Sequence, residues 1–110
     1  MILVDTSVWI DYFHGKDSAH TAVLDKALRE GSVVMGDMIM LEILQGFKKD
    51  SDYKQAKKAL GELEQFELLG SEMVPICAEN YRKLRKSGTT TRQTTDVIIA
   101  SFCIYNHLPL

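Results

Sequence analysis

Cysteine, histidine and long apolar runs are all scarce in this chain, and each scarcity excludes a class. Two cysteines, Cys77 and Cys103, occur among 110 residues, with no partner motif beside either. That excludes a disulfide-stapled miniprotein and a CxxC metal or redox site, and two buried free thiols are expected. The three histidines, His14, His20 and His107, share no ligand spacing. They build no zinc site and are expected on the surface or in loops. No apolar stretch approaches the length of a membrane span. The amino terminus has no basic segment leading into a long apolar run, so no signal peptide is expected and a cytoplasmic protein is the default. A glycine-rich phosphate loop and a GxSxG elbow are absent. A phosphoaspartyl hydrolase would want a second aspartate two residues after the first, but Ser7 stands there.

What is present is an ordinary folded composition, 45% hydrophobic and 25% charged, which argues against a disordered or collagen-like chain. The length allows one modest domain, 1–110, near the low end for an enzyme. Net charge is −2, which does not advertise nucleic-acid binding. Its distribution is uneven: residues 1–47 carry three basic and seven acidic side chains, residues 48–110 ten basic and eight acidic. Arg82, Lys83, Arg85, Lys86 and Arg92 form a basic run without an acid. It reads either as a solvated helix face or as a positive lip for a phosphate backbone.

Along the chain, Ile2-Leu3-Val4 is a short buried strand, and Asp5-Thr6-Ser7 offers caps for a short apolar helix through Phe13. Residues 18–30 are helical with Gly31 as the stop, and Val33-Val34-Met35 is a second strand ending at Gly36-Asp37. Helices follow over 38–48 and 50–67, the latter basic early and acidic late, against its dipole. A third strand is expected within 68–76, ended by Pro75; then a helix over 78–87, a polar loop, and a helix over 94–105 with Asn106 as its cap. Leu108-Pro109-Leu110 reads as the start of a further strand, so the domain is expected to be incomplete at its carboxyl end. Short strands alternating with helices predict an α/β fold, a parallel sheet of about four strands with helices on both faces. Ligand sites in such sheets lie beyond the carboxyl ends of the strands.

Three acidic residues stand out against that frame. Asp5 follows the first strand directly, where it is either an N-cap or a site residue. Glu42 interrupts the most apolar stretch, Met38 to Leu44, and must be exposed, paired or bound to a cation. Asp96 opens a helix that is apolar all round after it, Val97-Ile98-Ile99-Ala100. Gathered carboxylates repel unless neutralised, and oxygen ligands without histidine or cysteine suit Mg²⁺ or Mn²⁺.

The stretch Ile2 to Phe13 closely resembles the opening of PIN-domain ribonucleases, particularly the VapC-type toxins of toxin–antitoxin pairs. Met40-Leu41-Glu42-Ile43-Leu44-Gln45-Gly46 resembles their second motif and Arg92 to Ala100 their third, in order and across nearly the whole chain. The resemblance implies a cytoplasmic, divalent-metal-dependent endoribonuclease acting as a toxin, restrained by a cognate antitoxin protein and commonly a homodimer, with no membrane role. It implies Asp5, Glu42 and Asp96 as catalytic metal ligands and Ser7 as a supporting hydroxyl. Asp11 matches a common family position without a site role. The basic run, with Arg92, Lys86 and Arg85 foremost, becomes a candidate RNA contact. A further acidic residue usually follows a fourth strand in this family, and the chain stops before it. A truncated, weakly active or inactive PIN-like protein acting through partner binding is the alternative. An unrelated α/β binding domain would leave the three carboxylates apart. Trp9, Tyr12 and Phe13 are either a docking surface or core, with at least two expected in the core.

Overall fold

Three short segments pair side by side in a computed structural model of the chain, which describes residues 1–88 and 93–109. They are β1 (Ile2–Leu3), β2 (Val33–Gly36) and β3 (Glu64–Phe66), in the order β1-β2-β3 and all parallel. Ile2 pairs with Val33, and Gly36 with Phe66. Between and after them run α1 (Thr6–Phe13), α2 (Ala19–Glu30), α3 (Asp37–Gln45), α4 (Asp50–Gly61), α5 (Met73–Lys86) and α6 (Thr94–Tyr105). Successive side chains of a strand face opposite sides, and Val33, Val34 and Met35 are all buried, so both faces of β2 are covered. The α/β class and parallel sheet are as the sequence predicts.

The strand count differs, with three among the described residues. Beyond α6, His107 adopts a left-handed conformation, and the amide of Leu108 returns to the carbonyl of Cys103. This αL stop turns the chain toward the sheet. The amide of Leu3 then donates to the carbonyl of Pro109 at 3.2 Å, so the segment expected to begin a further strand reaches the free edge of β1.

The middle of the chain departs most from expectation. The third strand lies at 64–66, not within 68–76, because it is an edge strand with exposed Glu64 and Gln65 and no apolar run to betray it. The helix expected to reach 67 stops at Gly61, and Gln65 Nε2 donates to the carbonyls of Leu60 and Leu63 across the turn. Shortening reverses its charge order: Asp50 and Asp52 open α4 and Lys58 closes it, which favours the dipole. Pro75 lies in the first turn of α5, where its missing N–H has no intrahelical partner to lose. Leu68 is fully buried under Gly36, where any Cβ would sit 2.5 Å from a Leu68 methyl. Asp37 secures this join: its Oδ1 accepts from the amides of Leu68 and Met38.

The core runs from Leu3 and Trp9 through β2 and Ile39 to Ile98, Ile99 and Phe102. Trp9 is buried, Tyr12 packs on the core half-buried, and Phe13 is the more exposed ring, stacked on Trp9 and edge-on to Phe47. Cys77 and Cys103 are buried free thiols, and burial pushes the Cys103 thiol up.

Candidate active site

Asp5 occupies the N-cap position of α1, and its backbone carbonyl accepts from the amides of Val8 and Trp9. Its carboxylate makes no cap bond. It accepts instead from Ser7 Oγ, at 2.8 Å on Oδ2. The capping role open to Asp5 in the sequence is thus carried by its backbone, leaving a half-buried carboxylate at the carboxyl end of β1.

Helix α1 packs against α3, and the contact is polar at one point. Thr6 is buried, and its hydroxyl donates to Glu42 Oε1 at 2.8 Å. The neighbour of the first candidate ligand therefore holds the second. Read from sequence as a competing cap, Thr6 was the residue overlooked. Its only signal was adjacency to Asp5, because its partner lies on another helix.

Asp96 sits half-buried in the first turn of α6. The helix beyond it is buried on nearly all sides, as its apolar sequence requires: Val97, Ile98, Ile99, Ser101, Phe102 and Cys103 are all covered. Helix α5 runs antiparallel beside it. Tyr105 Oη donates to Glu72, Asn80 Nδ2 donates to Ser101, and Arg82 and Thr94 line one groove. That pairing carries the exposed Arg82, Lys83, Arg85 and Lys86 to the end of the molecule where α6 begins. Arg92 lies outside the described residues.

Among the described residues Asp5, Glu42 and Asp96 form no ion pair, whereas Lys16 pairs with Asp11 and Arg29 with Asp25. Asp11 is thus occupied by Lys16 at 3.9 Å. An all-oxygen, cation-free donor set is the chemistry a hard divalent ion requires. Among the described residues, however, no three His, Cys, Asp or Glu side chains gather closely enough to hold an ion by themselves. The structure brings Asp5 together with Ser7 and Glu42 with Thr6, and places Asp96 separately at the α6 terminus.

One histidine gains a setting that its sequence position concealed. His14, His20 and His107 are all exposed. His20, in the first turn of α2, lines a groove together with Asp5 and Ser7.

The chain matches the PIN domain family over residues 2–110. Two curated proteins, the VapC ribonuclease Mb1587 of Mycobacterium bovis and the ribonuclease VapC11 of Mycobacterium tuberculosis, are each 29% identical over 106 residues, covering 94% of this chain and 79% of theirs. Among solved structures, VapBC2 from Rickettsia felis bound to a promoter DNA fragment is similar with a TM-score of 0.75 at 17% identity, over 98% of this chain and 84% of that one. A toxin–antitoxin complex from Klebsiella pneumoniae is similar with a TM-score of 0.67 at 21% identity, over 98% of this chain and 82% of that one. These two likenesses concern the fold. With three ordered motifs, a parallel three-stranded sheet and a match over almost every residue, the chain belongs to the PIN-domain family.

Proposed function

We propose that this protein is a VapC-type toxin, a divalent-metal-dependent endoribonuclease that hydrolyses RNA phosphodiester bonds and is restrained by an antitoxin protein. The observation that carries this reading is the Thr6–Glu42 hydrogen bond, which links the first acidic motif to the second across two helices. The VapC names of the curated relatives support the ribonuclease activity, and the toxin–antitoxin complexes among similar structures support the protein partner. Asp5, Glu42 and Asp96 would hold Mg²⁺ or Mn²⁺, with water completing the shell. Such an ion, when bound, supplies a Lewis acid for the phosphodiester and lowers the pKa of a water. The protein's own part is orientation: Ser7 fixes one oxygen of Asp5, and Thr6 fixes one oxygen of Glu42. Arg85 and Lys86, with Arg92 before α6, would hold the RNA backbone beside Asp96. A cytoplasmic homodimer completes the reading; no described helix is long and apolar enough to cross a membrane.

Purified protein with single-stranded RNA tests it. Cleavage should require Mg²⁺ or Mn²⁺, stop with EDTA, and fall by about a hundredfold or more in Asp5→Asn and in Asp96→Asn, with circular dichroism unchanged. Wild-type protein that leaves RNA intact with either metal would overturn the reading, as would variants that cut at the wild-type rate.

A further inference from the structure

Phosphate contacts position an RNA but carry no sequence information, so a ribonuclease that selects its site must hold a base somewhere near the reacting phosphate. A groove of about 450 Å³ is lined by one of the candidate carboxylates, Asp5. Asp5, Ser7 and His20, the last on the first turn of α2, supply its polar lining, and Val8 and Val23 contribute apolar surface. Val23 is 62% exposed although it is a β-branched apolar residue on an amphipathic helix. His20 has no side-chain partner among the described residues.

We propose that this groove binds the base and sugar of the nucleotide next to the cleaved phosphate, with His20 as its polar contact. The inference rests on the ribonuclease reading and extends it from the metal ligands to substrate selection. Three features favour a nucleotide. Its volume falls in the range of about 300–1,000 Å³ that small organic ligands occupy. Asp5 lines it, so a ligand seated in it also reaches that carboxylate. Its lining is also mixed: Asp5 and Ser7 present oxygens, while the first turn of α2 carries no acid and adds the helix's partial positive charge beside His20. A nucleotide within RNA offers both a charged phosphate and a flat apolar face, which suits a lining of polar groups and valines. Unpaired bases are recognised by stacking on side chains that include histidine.

Both test positions are exposed, so substitutions there leave the core intact. In steady-state cleavage of single-stranded RNA, Val23→Glu should raise KM about tenfold and His20→Ala several-fold, with kcat within about twofold of wild type. His20→Arg, which keeps a hydrogen-bond donor and a planar stacking surface, should restore much of the loss. The same order should appear in RNA affinity measured by fluorescence anisotropy of a labelled oligonucleotide. Unchanged KM and affinity in both Val23→Glu and His20→Ala would overturn the inference. So would variants that keep wild-type RNA kinetics but lose binding to the antitoxin, which would assign the groove to the protein partner. A wild-type protein without ribonuclease activity is a different failure, that of the activity itself, and anisotropy still decides whether the groove takes RNA.

Discussion

A hydroxyl and a carboxylate 36 positions apart meet at 2.8 Å, and the value of that contact lies in the residue beside it. Thr6 cannot move without moving Asp5, so one buried side chain fixes the relation between two candidate ligands. Groups that orient metal ligands matter nearly as much as the ligands: their loss typically costs about 10- to 100-fold in metal affinity or activity. Thr6→Val should therefore lower metal-dependent RNA cleavage by about that factor, while Thr6→Ser, which retains the hydroxyl, should stay within a few-fold of wild type. A Thr6→Val protein with full activity would show that the bond only joins α1 to α3. The acids themselves were legible in the sequence because a carboxylate amid Met38 to Leu44, or at the head of Val97 to Ala100, conflicts with its surroundings. Thr6 and His20 were not, because neither conflicts with its neighbours; their significance comes from residues on other elements.

Among the elements, the join between β2, α3 and the segment before α5 is the tightest fit. Gly36 ends β2 with Leu68 lying where its side chain would be, and Asp37 clasps the Leu68 amide. Gly36→Ala should destabilise the protein by about 1–3 kcal/mol through overpacking. Leu68→Ala should cost about 2–5 kcal/mol, the lost transfer free energy together with the cavity left behind. Because the two residues fill one space, the double variant should lose clearly less than the sum of the single losses in urea unfolding. Additive losses would mean that the backbone shifts to make room. This join was also the part least visible from the sequence. Periodicity located α2 and α6 because each has a one-sided or wholly apolar pattern and a terminal cap, Gly31 or Asn106. It misplaced β3 because an exposed edge strand of three residues lacks an apolar signature. It misjudged Pro75 because proline ends a strand and begins a helix with equal ease.

Over the whole molecule, antiparallel packing turns a charge imbalance along the chain into one across the surface. Asp5 and Glu42 come from the acidic first part, while α5 delivers Arg82, Lys83, Arg85 and Lys86 to the end where Asp96 begins α6. Cations placed there would neutralise backbone phosphates without reading bases. Single-stranded nucleic acid releases about 0.7 counterion per neutralised phosphate, so Arg85→Gln/Lys86→Gln should reduce the slope of log affinity against log salt by about 1.4. An unchanged slope would make the cluster a solvated helix face. The single tryptophan has a separate consequence. Trp9 is one helical turn from Asp5, wrapped by Tyr12 and Phe13, and its indole N–H has no partner among the described residues. All indole emission from this protein thus originates at one buried position a helical turn from Asp5, which gives the site an intrinsic optical probe with no added label.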